Sequence, residues 1–132
     1  MVVRISRPLL ARLLSEASTS PDREVCGLLF GVAGRKVTAV QPCRNVAEDP
    51  ASRFEIDPAD LIAAHKAQRR GGPRLIGCYH SHPNGAGGLS AQDREAAGMT
   101  SDLWLVLSGG RVRAWLGDGK GDFQEVRIET VG

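Results

Sequence analysis

The chain has 132 residues, a formal net charge of +2, 42% hydrophobic residues and 24% charged residues. This length fits one domain with a core of its own, so we expect residues 1–132 to form a single domain. Basic and acidic residues are interspersed, which argues against a dedicated nucleic-acid surface. No apolar run approaches the ~18 residues that a membrane helix needs. We therefore expect neither nucleic acid nor a membrane as a partner.

The three cysteines, Cys26, Cys43 and Cys78, are odd in number and show no CxxC spacing. This pattern argues against a disulfide framework. The apolar stretch "PLLARLL" near the N-terminus contains Arg12 and has no small-residue cleavage site after it, so we predict no signal peptide. A reducing, cytoplasmic setting fits these features best.

The predicted elements begin with a helix in "SRPLLARLLSEAS", with Ser6 as N-cap and Pro8 in its first turn. Two apolar, β-prone runs, "EVCGLLFG" and "KVTAVQPC", then predict a hairpin over roughly residues 25–42. The polar loop "RNVAEDPASR" and the segment "FEID" precede a second helix. Asp57 is its expected N-cap, and the glycines at 71–72 end it.

The second half of the chain predicts four strands and one short helix. "PRLIGCYHSH" is a short apolar strand, "LSAQDREAAG" is the helix, and "DLWLVLSG", "RVRAWLG" and "DFQEVRIET" are strands separated by glycine-rich turns. The order α-β-β-α-β-α-β-β-β predicts an α/β fold in which a single mixed β-sheet is flanked by helices.

His80 and His82 form the first candidate site. In a strand, residues i and i+2 point to the same face, so the two imidazoles project side by side in a geometry that can chelate one metal ion. An HxH pair alone is more often incidental than functional. Here Pro83 ends the strand directly afterwards, and ligand sites in α/β proteins favour such strand ends.

Ser90 and Asp93 admit two compatible interpretations. The S-x-x-D spacing is close to a capping box, with Ser90 as N-cap and Asp93 in the first turn of the helix. Alternatively, Asp93 is a third, oxygen ligand beside the histidines, in a catalytic zinc site that leaves its fourth position to water. The run "NGAGGL" before Ser90 could let the chain fold back far enough for that.

A hydrolytic zinc site also needs a group that takes and returns a proton. Glu24 is the best candidate, because it heads a strand whose Gly27 and Gly31 permit close backbone approach. The alternative is that Glu24 is an exposed residue at the start of a strand.

Taken together, "EVCGLLFG" followed by "HSHP", six residues, and then "S-x-x-D" resembles the JAMM motif of the JAB/MPN-domain metallopeptidases. The resemblance covers nearly the whole chain. It implies a cytidine-deaminase-like (JAB/MPN) fold and one catalytic Zn²⁺ per chain. By this resemblance His80, His82 and Asp93 are the zinc ligands, Glu24 is the general acid/base, and Ser90 stabilises the oxyanion.

The resemblance also implies a substrate class. Family members cleave isopeptide or peptide bonds after the C-terminal Gly-Gly of ubiquitin, of ubiquitin-like proteins or of sulfur-carrier proteins. The loops at 44–53 and after Asp93 are short, which favours the compact prokaryotic type over the larger deubiquitinases.

Two other functions remain open at this stage. The chain could be a non-catalytic, zinc-containing interaction module, although structural zinc sites usually fill all four positions with Cys and His. It could also be a peptidase of the same type that acts on an unrelated small amide or peptide. The oligomeric state is open. We interpret Cys26 and Cys78 as small buried side chains, and His65 as a surface residue of the second helix.

Overall fold

The computed structural model describes residues 1–33, 35–85, 87–91, 93–94 and 102–132. Within these residues the chain forms two fully described helices and seven strands. In chain order they are β1 (Val2–Ser6), α1 (Arg7–Ser18), β2 (Cys26–Val32), β3 (Lys36–Cys43), α2 (Pro58–Arg69), β4 (Leu75–Ser81), β5 (Leu103–Ser108), β6 (Arg111–Gly117) and β7 (Phe123–Val131).

The seven strands form one mixed sheet in the order β1-β3-β2-β4-β5-β6-β7, and the sheet closes into a barrel where β1 pairs with β7. The pairs β1–β3, β1–β7 and β4–β5 are parallel, and the other pairs are antiparallel. The predicted mixed α/β sheet is therefore confirmed, whereas its closure into a barrel was not predicted.

Strand β1 was not predicted from the sequence. Val3 and Ile5 point into the barrel and are 2% and 1% exposed, while Arg4 between them is exposed. This alternation is typical of a strand, but it spans only five residues that run directly into a helix. Its partners lie far along the chain, at residues 36–37 and 127–131, so local pattern alone does not reveal the pairing.

Both predicted helix starts are confirmed. The backbone N–H of Leu9 donates to Ser6 Oγ at the start of α1, and that of Ala59 donates to Asp57 Oδ1 at the start of α2. The third predicted helix is only partly described. Ala91, Asp93 and Arg94 are helical. Gln92 and residues 95–98 of that prediction lie outside the described residues.

The hairpin of β2 and β3 has the close backbone approach expected at its glycines. A Cβ atom on Gly27 would collide with the Gln41 carbonyl oxygen and the Tyr79 ring, and one on Gly31 would collide with the Lys36 carbonyl. Both positions therefore require the absence of a side chain.

The register between β2 and β4 sets the position of the candidate site. Cys26 lies opposite His80 in this antiparallel pair, and the Ser81 N–H donates to the Val25 carbonyl at 3.0 Å. Because the strands are antiparallel, Glu24, two residues before Cys26, lies opposite His82, two residues after His80. The end of β4 and the start of β2 thus bring together residues that are more than fifty positions apart.

None of the helices in the described residues is both long and apolar enough to cross a membrane.

Candidate functional site

Three side-chain atoms converge at the end of β4. Nε2 of His80 and Nε2 of His82 are 3.1 Å apart, and Asp93 Oδ2 lies 2.9 Å from the first and 3.0 Å from the second. All three residues are buried. The sheet continues past the strand end, because the His82 N–H donates to the Leu107 carbonyl of β5 at 2.9 Å. This bond holds His82 on the same face as His80.

Leu89 explains how the glycine-rich loop returns the chain to the histidines. It is 8% exposed and packs with Trp104 and Val106 of β5 in a small apolar cluster. Earlier in the loop, Gly85 has a φ of +82°, a conformation that side chains rarely adopt. The glycines allow the reversal and Leu89 anchors it, so Ser90 and Asp93 face the end of β4.

Ser90 and Asp93 form the predicted capping box. The Asp93 N–H donates to Ser90 Oγ at 3.1 Å, and the Ser90 N–H donates to Asp93 Oδ2 at 2.9 Å. The carboxylate oxygen that completes the capping box is thus the same oxygen that meets both histidines. This geometry is compatible with both interpretations of Asp93, as part of the helix cap and as a metal ligand.

Glu24 is buried beside this cluster and is only 4% exposed. The interpretation of Glu24 as an exposed residue at the start of a strand is therefore wrong. One carboxylate oxygen of Glu24 and one ring nitrogen of each histidine lie within 4.8 Å of one another. Among the described residues, Glu24 Oε1 has no hydrogen-bond partner. Burial raises the pKa of Glu24 to about 7, although the His82 ring opposes the shift.

Asp93 shows the opposite shift. Burial raises the pKa of its carboxyl group, but hydrogen bonds from His80 and His82 outweigh burial and hold that pKa well below its ordinary value. Burial also lowers the pKa of His80, against the opposing effect of Asp93. An ionised carboxylate beside a neutral imidazole is the protonation state in which these groups bind a metal.

The donor set fits a metal ion. Two imidazole nitrogens and a carboxylate oxygen are typical ligands of zinc in catalytic sites. A tetrahedral ion bound at roughly 2.0–2.2 Å holds its ligand atoms about 3.3–3.6 Å apart. The observed triangle, with sides of 2.9–3.1 Å, is a few tenths of an ångström tighter than that. The unpartnered Oε1 of Glu24 adds a buried acceptor next to that centre.

His80 is held by aromatic rings. Phe54 stacks on it with ring centroids 4.3 Å apart and an interplanar angle of 19°, and Trp104 meets it edge-on at 5.7 Å. Metal-binding histidines usually donate their second ring N–H to a carboxylate or carbonyl. Nδ1 of His80 is buried and has no such partner among the described residues. Ring contacts therefore fix its orientation.

A narrow cleft of about 230 Å³ opens onto Glu24, His82 and Ser90. Its other walls include the small residues Ala51, Ser52 and Gly88. The full lining is Glu24, Ala51, Ser52, His82, Pro83, Asn84, Gly88, Leu89 and Ser90. This volume lies below the range of about 300–1,000 Å³ typical of pockets for drug-sized ligands. Such a cleft suits a thin, extended chain.

Comparison with known families identifies the fold. Residues 6–118 match the family described as prokaryotic homologs of the JAB domain. The chain belongs to this JAB family.

Curated relatives and a solved structure agree with this membership. A desampylase from Haloferax volcanii is 36% identical over 124 residues, which cover 91% of this chain and 87% of the relative. A probable TtuB-protein conjugate cleaving protease from Thermus thermophilus is 34% identical over 116 residues, covering 88% and 76%. The crystal structure of a JAB1/MPN domain protein from Archaeoglobus fulgidus superposes with a TM-score of 0.62 at 19% identity, covering 98% of this chain and all of that one. This last similarity shows that the two proteins share a fold.

All five residues predicted for the site meet in this JAB-family chain. Residues that hold the site in place were missed, among them Phe54, which stacks on His80, and Asn45, which bonds the Glu24 carbonyl. Phe54 was noted only as part of "FEID", and Asn45 only as part of a polar loop. Neither has a sequence pattern of its own, because their importance comes from contacts that form only in the fold.

The cysteines and His65 are not among the described residues whose side chains meet at the cluster. Cys26 is fully buried, whereas Cys43 and Cys78 are partly buried, and all three are free. Burial raises the pKa of Cys26 and of Cys43 to about 12, and raises that of Cys78 well above its ordinary value, so none forms a thiolate near neutral pH. His65 is exposed on α2, as predicted.

Proposed function

We propose that this chain is a zinc-dependent metallopeptidase that hydrolyses the amide bond after the C-terminal Gly-Gly of a ubiquitin-like or sulfur-carrier protein. The chain is a hydrolase of the JAMM type, as its family and its relatives establish. In our proposal His80, His82 and Asp93 hold one Zn²⁺ per chain, and Glu24 and Ser90 are the catalytic residues.

The observation that carries this proposal is the triangle of His80 Nε2, His82 Nε2 and Asp93 Oδ2 beside the buried carboxylate of Glu24. Three ligands with a nearby acid are typical of catalytic zinc sites, whereas structural sites fill all four positions. A non-catalytic zinc module would gain nothing from burying an unpartnered carboxylate, which costs free energy.

Bound zinc supplies a Lewis acid that lowers the pKa of water to about 7. Glu24 then accepts a proton from the attacking water as the water oxygen bonds to the amide carbon. When the carbon–nitrogen bond breaks, Glu24 returns that proton to the leaving amine. In the metal-free protein, burial raises the pKa of Glu24 to about 7, and a carboxyl group positioned beside the water can take and return the proton in turn.

Ser90 supports the oxyanion in this scheme. Its Oγ accepts the Asp93 N–H, and this leaves the hydroxyl hydrogen of Ser90 available to donate into the cleft. A donor placed where negative charge develops on the substrate oxygen stabilises the transition state more than the ground state.

The relatives and the cleft support the substrate class. One relative is named a desampylase, and another is named a protease that cleaves TtuB–protein conjugates. The cleft that Glu24, His82 and Ser90 share has a volume of only about 230 Å³. We expect two glycines to fit such a cleft better than residues with longer side chains.

Three broader predictions accompany this function. The cytidine-deaminase-like form of the JAB/MPN fold and the cytoplasmic location stay predictions. We also propose that residues 1–132 form one domain, since β7 pairs with both β1 and β6 and so joins the end of the chain to the same barrel.

The decisive experiment uses a ubiquitin-fold protein that ends in Gly-Gly and continues into a short peptide. We expect the zinc-loaded enzyme to cleave this fusion after the second glycine, with mass spectrometry locating the cut. Replacing either glycine with valine should block cleavage, because we expect the tail to run through a cleft of only about 230 Å³.

Two controls separate the rival functions. A short peptide with the same Gly-Gly sequence but no folded body tests whether the enzyme is a general peptidase. Equal turnover of that peptide, or of the valine variants, would contradict the proposed specificity. No cleavage of any fusion by folded, zinc-loaded protein would favour the interaction module.

A further inference from the structure

The side chain of Asn45 uses all of its hydrogen-bonding capacity. Its Nδ2 donates to the carbonyl oxygens of Glu24 at 2.9 Å and Arg53 at 3.1 Å. Its Oδ1 accepts from the N–H groups of Ala47 at 3.0 Å and Glu55 at 3.1 Å. An amide offers two donor hydrogens and two acceptor lone pairs, so every position is filled, and only one orientation of the amide satisfies these four partners.

The backbone of Glu24 depends on the loop that contains Asn45. Glu24 precedes β2, so the strand ladder does not bond its backbone groups. Its N–H donates to the Pro50 carbonyl at 2.7 Å, and its carbonyl accepts from Asn45. Both backbone polar groups of the acid/base residue are thus held by residues 45–50.

The same side chain fixes the ring that backs His80. Asn45 bonds the carbonyl of Arg53 and the N–H of Glu55, which are the residues on either side of Phe54. Phe54 stacks on His80, whose Nδ1 has no hydrogen-bond partner among the described residues. Holding the backbone on both sides of Phe54 therefore limits how far the His80 ring can turn.

We propose that Asn45 is a positioning residue that couples the two halves of the catalytic centre, with Glu24 on one side and His80, through Phe54, on the other. This inference rests on the proposed function. Asn45 touches neither the metal ligands nor the cleft; it acts through the backbone of its neighbours. Its loss should therefore reduce kcat more than KM, and should also weaken zinc binding.

Two variants test this role. Asn45→Ala removes all four hydrogen bonds. Asn45→Asp keeps the acceptor oxygen for Ala47 and Glu55 but loses the donors to Glu24 and Arg53, and so separates the two carbonyl groups that Asn45 binds from the two N–H groups. The base of the loop has backbone bonds of its own, from Val46 to Glu55 and from Asp57 to Arg44, which should preserve the fold in both variants.

Gln68→Ala is the matched control. Its side-chain amide also accepts a backbone N–H across a connection, that of Leu75 at 2.7 Å, but it lies on α2 away from the cleft. We expect Asn45→Ala to lose about 10–10²-fold in kcat with KM changed by less than about threefold, and to bind zinc about tenfold more weakly in a chelator competition. Gln68→Ala should change neither quantity.

Hydrogen exchange on the metal-free protein supplies a measurement that is independent of activity. In Asn45→Ala the Glu24 N–H should lose protection about tenfold, although its own acceptor is Pro50. Wild-type rates at Glu24 together with unchanged zinc affinity would overturn the inference, even if the wild-type enzyme cleaves no Gly-Gly fusion. So would a kcat for both Asn45 variants equal to that of Gln68→Ala.

Discussion

Two buried carboxylates, those of Glu24 and Asp93, lie beside the histidine pair, and their surroundings shift their pKa values in opposite directions. Asp93 presents one oxygen to His80, His82 and the Ser90 N–H, and these contacts hold its pKa well below the ordinary value. Glu24 has one oxygen without any partner among the described residues, and burial raises its pKa to about 7.

This difference teaches how one fold obtains two roles from one functional group. A carboxylate that stays ionised serves as a ligand, whereas one with a pKa near neutrality can exchange protons. Environments that separate the pKa values of neighbouring acids are a general mark of acid/base sites. The roles assigned here to Asp93 and Glu24 follow that pattern, and four experiments can break or sharpen the contrast.

The largest effect is expected at Asp93. Asp93→Asn removes the negative charge that the three ligand atoms share, so zinc content should fall from near one per chain toward zero after dialysis, with activity lost. The loss in affinity should exceed the ~10²-fold that changes outside the ligand set cost. Asp57→Asn, at the cap of α2, is the matched control and should retain its zinc by metal analysis. A fully loaded Asp93→Asn would show that Asp93 is not a ligand.

Glu24→Gln should impair catalysis without impairing zinc binding. We expect it to keep its zinc and its fold but to lose about 10²–10⁴-fold in kcat, because the amide cannot take up the proton. Zinc content and kcat are measured on the same preparation, beside Glu48→Gln as an exposed control in the neighbouring loop. Loss of zinc would make Glu24 a ligand, and the contrast with Asp93 would disappear.

Ser90→Ala tests whether the serine that caps Asp93 also acts in catalysis. If the hydroxyl supports the oxyanion, kcat should fall by roughly 10²–10³-fold in folded, zinc-loaded protein. Ser6→Ala removes the equivalent cap from α1, far from the cleft, and should cost about 1 kcal/mol of unfolding free energy without changing kcat. Near-normal turnover by Ser90→Ala would mean that the serine only caps.

The smallest expected effect is on how the unfolding free energy of the metal-free protein changes with pH. The folded state holds the Glu24 proton up to pH about 7, whereas the unfolded chain releases it near 4.5, so stability should fall as pH rises through that window. Glu24→Gln should remove this fall. It should be more stable than wild type at pH 8, by at most about 3 kcal/mol, and equally stable near pH 4.

Asp93 provides the contrast in the same denaturation series. Because its pKa is depressed, its contribution is present above its ordinary value of 3.8 and should be lost only as the pH falls below it. A Glu24→Gln curve parallel to wild type from pH 4 to 8 would show that Glu24 is not held protonated by burial.

The sequence was sufficient for the parts of this molecule that depend on local pattern. Helix caps at Ser6 and Asp57, the β2–β3 hairpin and the alternation of His80 and His82 follow from spacing along the chain. The motif then related Glu24 to residues that are far away in sequence. The roles of Asn45 and Phe54 could not be predicted, because an amide with four backbone partners and a ring stacked on an imidazole are defined only by the assembled loop.

The pairing of β1 with β7, which closes the barrel, has a consequence for how the chain reaches its native state. Strand β1 pairs residue 2 with residue 127, so it must wait for a partner that lies more than a hundred residues further along the chain. Contacts of such high sequence separation slow folding, and until they form, β1 has an unpaired edge that can associate with other chains. During synthesis the seam between β1 and β7 should close last. Chains truncated before β7 should aggregate even though every residue proposed for the active site is already present.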